Sequence, residues 1–372
     1  MREWITRAAV ELMERGWIPD VAIRAGIRSL LRQRLRQQRR VERGQTSGLS
    51  SDAFLQLAVE GELALETDKA NEQHYEVPAS FFNLVLGPRK KYSCCWFDHP
   101  DDDLATAEER ALEITCQHAE LADGMEILEL GCGWGSLTLR MLEHYSTSRV
   151  VAVSNSHSQR EYIERAAAKR GLADRLQVLT RDIRDLELDR QFDRVVSVEM
   201  FEHVRNHRRL LERISSWLRH DGLLFVHIFC HRQYAYPFET EGAANWMGKH
   251  FFTGGMMPHQ NLFRQMDEHL VQTKEWVWDG THYERTCRWW IANMHRHREP
   301  LLPILENIYG PGQGPKWFQR WKIFFWACAE LFGYREGREW FVGHYQFRNQ
   351  SRRRRESCND QPQAPFSTQV AS

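Results

Sequence analysis

The sequence predicts an α/β fold built on a doubly wound, mostly parallel sheet of seven strands. From residue 125 onward, short apolar runs alternate with longer segments of helical periodicity. Strands separated by helices of that length form parallel sheets with right-handed crossovers. The chain of 372 residues carries 50 Lys+Arg and 50 Asp+Glu, so its net charge gives no reason to expect a nucleic-acid partner. It also lacks an apolar run of the roughly 18 residues that a membrane span needs.

Each element has a local signal in the sequence. Helical periodicity predicts helices over residues 1–43 and near 52–65, 78–86 and 104–121, with a linker at 44–51. The first five strands are expected near 125–130, 149–153, 176–180, 193–198 and 223–229, separated by helices near 136–144, 158–170 and 206–219. Asp221-Gly222 marks a turn before the fifth strand. A strand near 270–278, helices near 282–297 and 316–332, and a strand near 339–347 complete the sheet.

We expect three parts along the chain: a helical cap over residues 1–65, a main domain over 66–348, and a disordered polar tail over 349–372. Residues 231–265 interrupt the strand–helix order, and with 282–335 they are expected to cover the substrate side. Arginines crowd the N-terminal helical segment beside an apolar stripe. That pattern predicts either a docked helix or transient contact with an anionic membrane surface.

Cysteines and tryptophans narrow the class of protein. The eight cysteines form no Cys-x-x-Cys pair, and the N-terminus lacks a signal-peptide pattern, so we expect a cytoplasmic protein without disulfides or a metal site. Most of the 14 tryptophans lie outside the glycine-rich region. They predict either a thick aromatic core or a pocket that accepts a protonated or methylated amine.

A glycine turn is the strongest functional signal. Gly131, Gly133 and Gly135 follow an apolar run that carries Glu126 and Glu129, and a helical pattern begins at Ser136. Glycines there let a ligand lie against the main chain. A carboxylate at the end of the strand would repel phosphate but suits an α-amino group, and the spacing differs from the Gly-x-Gly-x-x-Gly of dinucleotide sites. The pattern therefore predicts a pocket for S-adenosylmethionine (SAM), with a simple tight turn as the alternative.

Residues that follow the next strands extend this pocket, because ligands bind beyond the carboxyl ends of such strands. Asn155 and Gln159 follow the second strand and offer hydrogen bonds to ribose hydroxyls. Asp182 and Ile183 follow the third strand, where the carboxylate can accept from the adenine amino group and the apolar side chain can pack on the ring. A turn cap is the alternative role for Asp182.

An acidic cluster follows the fourth strand. Glu199, Glu202 and His203 lie within five residues, and burial beside a cationic sulfonium would prepare one of them as a base or amine acceptor. A surface acidic turn is the alternative. His227, in the fifth strand, is enclosed by apolar residues and by itself indicates a satisfied core histidine.

Five segments make the resemblance to a known family specific: Glu72–Pro78, Lys91–Phe97, Leu128–Gly135, Ser197–His203 and His282–Thr286. They resemble the cyclopropane fatty acid synthase superfamily of SAM-dependent enzymes. Three further features are closer to its coclaurine N-methyltransferase branch: Phe229–Arg232, Phe251–Pro258, and Ala329–Tyr334 with Glu339–Val342. The resemblance covers about residues 50–348 and implies a Rossmann-like, class I methyltransferase fold.

The resemblance also implies roles. Tyr92 and Ser93 would contact the methionine part of SAM beside Gly131 and Gly133, and the residues after the second and third strands would contact ribose and adenine. Glu199, Glu202 and His203 match the set that holds the substrate amine in alkaloid N-methyltransferases. An amine reacts only as its free base, which a carboxylate–histidine group can orient and deprotonate.

One set of residues departs from the alkaloid pattern. The synthases resemble this chain at Cys94, Glu202, His227 and Tyr283, positions that in them cradle a bicarbonate ion acting as base. The alkaloid enzymes commonly have serine in place of Cys94. Conversely, Phe229 stands where the synthases usually carry isoleucine.

We therefore expect a SAM-dependent methyltransferase that acts on a small cyclic or aromatic amine. The main alternative is transfer to the double bond of an unsaturated acyl phospholipid, with bicarbonate as a further cofactor and peripheral membrane contact. Another nucleophile, or a SAM-binding module without activity, stays open, as does a homodimer.

Overall fold

The computed structural model describes residues 2–64, 77–242 and 245–349. Residues 72–76 of the first resembling segment and the expected tail from residue 350 lie outside the described residues. The helices are α1 Arg2–Glu14, α2 Asp20–Glu42, α3 Ser51–Glu60, α4 Ala79–Val85, α5 Leu104–His118, α6 Ser136–His144, α7 His157–Lys169, α8 His207–Trp217, α9 Trp246–His250, α10 Gly280–Arg296, α11 Arg298–Tyr309 and α12 Gly314–Phe332. The strands are β1 Glu126–Leu130, β2 Arg149–Ser154, β3 Leu176–Thr180, β4 Phe192–Val198, β5 Leu218–His231, β6 Tyr236–Pro237, β7 Met256–Met257, β8 Leu270–Trp278 and β9 Trp340–Asn349.

The main sheet confirms the predicted fold class. Its seven strands run in the order β3-β2-β1-β4-β5-β9-β8. The first five strands pair in parallel, and β9 pairs antiparallel with both β5 and β8. Because β1 pairs with β2 on one side and β4 on the other, the strand order reverses beside β1, which is where open α/β sheets bind ligands.

Two details of the element prediction were wrong. The fifth strand begins at Leu218, and Asp221-Gly222 lies inside it rather than in a separate turn. The pairing with β4 instead jumps from Phe192–Leu218 to Arg194–Leu223, so the extra residues are accommodated as an irregularity within the strand. Helix α11 was not expected, because Pro303 lies inside it and proline usually breaks a helix.

The N-terminal helices dock on α12 through apolar and charged contacts. Ile23 and Leu35 of α2 are buried in the larger core. Asp20 accepts hydrogen bonds from Lys322 Nζ at 2.8 Å and from Trp326 Nε1 at 3.1 Å. Glu330, which is buried, forms ion pairs with arginines of α2. These contacts agree with the docked-helix interpretation of the basic segment, and the division at residue 65 stays a prediction.

Residues 231–265 cover the carboxyl ends of the parallel strands. Within this segment β6 and β7 form a two-stranded sheet, and α9 packs beside them. Trp246 of α9 donates from Nε1 to Glu14 of α1 at 2.8 Å, so the segment is tied to the N-terminal helices. Over the described ranges, none of the helices combines the length and apolar character needed to cross a bilayer.

Candidate active site

A cavity of about 860 Å³ lies beyond the carboxyl ends of the parallel strands. The cavity is enclosed by the turn after β1, the ends of β2 and β4, the segment 231–265 and helices α1, α2, α10 and α12. All the residues predicted to bind the cofactor line this one cavity: Tyr92, Ser93, Glu129, Gly131, Gly133, Asn155, Gln159, Asp182 and Ile183. Four of the predicted catalytic residues also line it: Glu199, Glu202, His203 and Tyr283. The fold therefore brings the two predicted sets together.

The glycine turn is required by both backbone conformation and space. Gly131 has a φ of 81°, and a Cβ at this position would lie 2.8 Å from Cβ of Met200. Gly135, at the start of α6, has a φ of 77°, and its Cβ would lie 2.7 Å from Ile163 of α7. Both glycines are therefore needed for close packing, and the main chain between them faces the cavity.

Glu129 is a buried carboxyl at the end of β1. It accepts a hydrogen bond from Thr138 of α6. Burial raises the pKa of Glu129 to about 8, although the Thr138 hydrogen bond lowers it in part. A cationic ligand group would restore its negative charge, so this position suits the α-amino group of SAM and not a phosphate.

The residues after β2 and β3 are held by their own turns. Gln159 Oε1 accepts a hydrogen bond from Ser154 Oγ at 2.7 Å, which fixes the amide against the strand end. Asp182 accepts from the backbone N–H of Arg184 at 2.8 Å while it lines the cavity. The turn-cap role therefore holds for Asp182, and it is compatible with a second role toward a ligand.

Lys91 is a buried cation that the sequence prediction missed. It is 1% exposed and donates to Ser93 Oγ and to the carbonyl oxygen of Cys94, both at 2.6 Å. These bonds fix the loop that carries Tyr92, whose ring packs against Trp290. The sequence signal was available, since a lysine directly before an apolar Tyr-Ser-Cys-Cys run indicates a buried charge with backbone partners.

Glu199 is the most highly coordinated side chain of the site. Its Oε1 accepts from the backbone N–H of Cys94 at 3.1 Å and lies 3.3 Å from His227 Nε2, while its Oε2 accepts from Tyr283 Oη at 2.6 Å. Burial by itself raises the pKa of Glu199, but the bonds from His227 and Tyr283 and the charge of Lys91 outweigh burial and leave the pKa below its usual range. Glu199 is therefore an anion. Its φ of 49° is rare for a non-glycine residue and is a strain of the kind found at functional sites.

Glu202 is buried and His203 is half-buried, and both lack the partners that Glu199 has. Within the described part of the chain, Glu202 Oε2 and His203 Nδ1 have no hydrogen-bond partner. Burial and the nearby negative charge of Glu199 raise the pKa of Glu202 well above its usual range. Burial lowers the pKa of His203 to about 4, so its imidazole is neutral at neutral pH. Unpaired buried polar atoms are costly, and their position in the cavity wall leaves both atoms open to a polar group of a ligand.

Cys94 and His227 lie behind Glu199 and are not among the residues that line the cavity, so His227 is a satisfied core histidine, as its apolar neighbours in the sequence indicate. The strained turn at Glu199 places its carboxylate between them and the cavity. Burial raises the pKa of the Cys94 thiol well above its usual range, and Sγ lies 3.3 Å from the carbonyl oxygen of Cys95. That is the environment of an inert thiol.

Aromatic rings form a large part of the remaining wall, beside aliphatic side chains. Phe332 stacks on Tyr283 with ring centroids 4.2 Å apart, and Phe252 is stacked over His203 at 6.1 Å. Phe229, the residue that distinguishes this chain from the synthases, packs edge-on against Phe252. The tryptophan-rich C-terminal part contributes Trp290 to the wall and Trp321 to the buried core. The thick aromatic core is therefore present, and the amine-accepting pocket stays a prediction.

The donor set fits SAM. A buried carboxyl suits an ammonium group, a glycine turn leaves the main chain open to a ligand, and polar side chains after β2 and β3 match ribose and adenine. The anionic Glu199 and the aromatic wall suit a sulfonium cation. These groups would hold SAM, which supplies an activated methyl group when bound.

Comparison with protein families and curated proteins gives concordant matches. The model of the family described as mycolic acid cyclopropane synthetase matches residues 64–338. An (S)-coclaurine N-methyltransferase from Thalictrum flavum subsp. glaucum is 35% identical over 291 residues, which cover 77% of this chain and 80% of that protein. An (S)-coclaurine N-methyltransferase from Papaver somniferum is 32% identical, with 90% of this chain and 96% of that protein covered.

Among solved structures, a coclaurine N-methyltransferase bound to N-methylheliamine and SAH is similar with a TM-score of 0.86. The sequences are 30% identical, and the match covers 92% of this chain and 99% of that chain. The similarity therefore extends through the helical cap as well as the sheet.

The first prediction concerns ligand binding. We expect Asp182→Ala to weaken SAM binding about tenfold to a hundredfold, because one hydrogen bond to a ligand and the order of the turn are both lost. Isothermal titration with SAM measures the change. Asp185→Ala is the matched control, since Asp185 is exposed in the same turn and does not line the cavity. Equal affinities of the two variants would show that Asp182 only caps the turn.

Proposed function

The chain belongs to the mycolic acid cyclopropane synthetase family, and we propose that it uses SAM to methylate the nitrogen of a small cyclic or aromatic amine. SAM, when bound, supplies a methyl group activated by its sulfonium. Glu129, Asn155, Gln159 and Asp182 would hold its polar ends, and Tyr92 and Ser93 would lie along its methionine part.

The observation that carries the proposal is the pair of unpartnered polar atoms in the cavity, Glu202 Oε2 and His203 Nδ1. An amine N–H or ammonium group would satisfy Glu202, and the neutral imidazole of His203 can accept the proton that the amine must lose. An alkene has no hydrogen-bonding group and would leave both atoms buried and unsatisfied, which is costly.

Glu199 bears on the choice between amine and alkene. The groups that the family resemblance assigns to a bicarbonate cradle include Cys94, His227 and Tyr283, and in this chain all three contact the Glu199 carboxylate. A planar anion therefore already occupies their donors. A second anion placed there would meet repulsion and no donor, so the residues present do not fit bicarbonate.

The substrate class follows from the wall of the cavity. Its end beyond Glu202 is apolar and aromatic, formed by Phe229, Phe252 and Phe332 together with Ile23 and Ile27 of the N-terminal helices. A cyclic or aromatic amine presents a cationic or polar nitrogen on an apolar body. That distribution matches a cavity in which the polar Glu202 lies beside an apolar wall. Closure by α1 and α2 also excludes water, which keeps the amine oriented for transfer. We infer that residues 1–65 act as this cap.

An unsaturated acyl chain is the second candidate. The same apolar wall, extended under α2 by Leu30 and Leu31, could accommodate a chain, and the family model is that of a cyclopropane synthetase. The amine requires Glu202 as a hydrogen-bond partner and does not require bicarbonate. The acyl chain requires bicarbonate as a base and has no group that would bind Glu202.

A methyl-transfer assay decides between them. Labelled SAM is offered with a panel of cyclic and aromatic amines, and separately with vesicles of unsaturated phospholipid, each with and without bicarbonate. We expect label in an amine, with a rate indifferent to bicarbonate. Label in acyl chains that depends on bicarbonate would overturn the proposal.

Substitutions of Glu202 and His203 test whether these residues act in methyl transfer or in SAM binding. Because the amine loses its partner or its proton acceptor, we expect Glu202→Gln and His203→Ala to lower turnover on the order of 10²–10⁴-fold. SAM affinity should stay within about threefold, since neither residue belongs to the set that would hold the polar ends of SAM. Steady-state kinetics and titration with SAM measure the two effects. A parallel loss of SAM binding in both variants would mean that the site is misassigned.

Replacing Glu199 tests the bicarbonate argument. In Glu199→Gly the left-handed φ suits glycine, and three donors are left without their anion. We expect turnover to fall on the order of tenfold or more and added bicarbonate to restore part of it. Glu199→Gln is the control, because its amide fills the space. Rescue of the glutamine variant, or no rescue of the glycine variant, would contradict the argument.

A further inference from the structure

Three imidazoles connect Glu199 with the far side of the sheet. His227 Nε2 lies 3.3 Å from Glu199 Oε1, and His227 Nδ1 lies 2.8 Å from Nε2 of His344. His344 Nδ1 in turn lies 2.8 Å from Nδ1 of His118. We refer to His227, His344 and His118 as the histidine row. None of the three lines the cavity, so they contact Glu199 only from behind or through one another.

The fold holds the row rigidly. His227 and His344 face each other in the antiparallel pairing of β5 and β9, and both are 0% exposed. His118 is the last residue of α5 and is half-buried, with its ring stacked on Trp276 at a centroid distance of 3.9 Å. The row therefore runs from a buried carboxylate to the edge of the solvent.

All three imidazoles are neutral at neutral pH. Burial lowers the pKa of His118 and of His227 to about 4, and it lowers the pKa of His344 well below the usual range. The cations that act on the row are Lys91 near its inner end and Lys274 near His118, and Lys274 is paired with Glu120. The other titratable groups that act on Glu199 are Cys94, Cys95, Cys287 and Tyr283, whose pKa values are raised by burial, together with Glu202 and His203.

Neutrality fixes the direction of the hydrogen bonds. A neutral imidazole carries one N–H, and an ionised carboxylate can only accept. His227 must therefore donate from Nε2 to Glu199, which leaves Nδ1 to accept from Nε2 of His344. His344 Nδ1 must then accept from Nδ1 of His118. Every N–H of the row points toward Glu199, and donors aligned in series strengthen one another.

We propose that the histidine row is a positioning device that keeps the negative charge of the Glu199–Glu202 pair on Glu199. Glu199 then offers a fixed anion beside the cationic ligand, while Glu202 is left to meet the amine. The role of Glu202 toward the amine rests on the proposed function, whereas the direction of the hydrogen bonds in the histidine row does not.

Two substitutions of His344 test the row. A glutamine can donate from Nε2 to His227 and accept from His118 at Oε1, so His344→Gln keeps the direction of the row but cannot relay a proton. His344→Leu removes both contacts. His118→Phe retains a ring to stack on Trp276 and removes the outer donor, so it guards against a folding failure in the buried variants.

The first readout is nitrogen-15 NMR of the histidine rings in the SAM-free protein, assigned with single His→Gln variants. We expect protons on Nε2 of His227 and His344 and on Nδ1 of His118. The Nε2 proton of His227 should remain in both His344→Gln and His344→Leu, because the Glu199 carboxylate still accepts it. A His227 proton on Nδ1 in the unsubstituted protein would overturn the proposal whatever the substrate is.

The second readout is the pH profile of kcat/KM with the amine identified by the methyl-transfer assay. Without its donor row Glu199 binds a proton more readily, so we expect the acidic limb to move up by about one pH unit in His344→Leu, which is about a tenfold loss below the limb. His118→Phe should shift in the same direction by less, and His344→Gln should stay within about twofold at a given pH. Equal losses of kcat/KM in His344→Gln and His344→Leu would indicate that the row conducts a proton. An unshifted acidic limb in every variant would show that the row is purely structural. Either result overturns the proposal. An inactive wild type would refute the proposed function and leave the tautomer result standing.

Discussion

The carboxylate of Glu199 is the interaction on which the site depends. Its left-handed backbone costs about 1–2 kcal/mol, because Cβ crowds the carbonyl oxygen. Hydrogen bonds from a loop, a strand and a helix offset that cost, through Cys94 N, His227 Nε2 and Tyr283 Oη. One buried anion thus ties three distant parts of the chain to the exit of β4. It also sets the state of its neighbour, since two adjacent buried carboxyls do not readily ionise together.

The cavity has two chemical halves because different elements build them. The strand ends and the glycine turn supply polar atoms and main chain, as the topology of an open parallel sheet requires. Apolar and aromatic side chains come from helices α1, α2, α10 and α12 and from the segment 231–265. Helices α1 and α2 are attached to α12 by polar contacts, because Glu14, Asp20 and Glu330 each accept charge-assisted hydrogen bonds there. These contacts hold α1 and α2 at a defined position beside the cavity.

The family model is that of a cyclopropane synthetase, whereas similar curated proteins are N-methyltransferases. Under the proposed function, the turn at Glu199 would separate the two kinds of acceptor on one scaffold. Cys94 N, His227 and Tyr283 contact the Glu199 carboxylate, whereas Glu202 Oε2 and His203 Nδ1 have no hydrogen-bond partner among the described residues. An external base then has no place, whereas an acceptor that carries its own N–H does. The two kinds of enzyme would differ in which group accepts the hydrogen bonds at the turn after β4. They would not differ in the overall fold, which both share.

The sequence by itself determined the sheet, the glycine turn and many of the residues that line the cavity. Periodicity and turn residues are local signals, so the bounds of α6 and β3 agree with their predicted ranges. The turns after β1, β2 and β4 had to converge because parallel strands end on one edge. The tertiary structure alone decided that Cys94 and His227 lie behind Glu199, and that His118 and His344 continue the line. Those contacts join residues up to 226 positions apart, and no pattern within a strand or helix encodes which distant imidazole faces which. It also decided that Glu199 is the anion and Glu202 the acid, because that difference comes from partners that only the folded chain brings together.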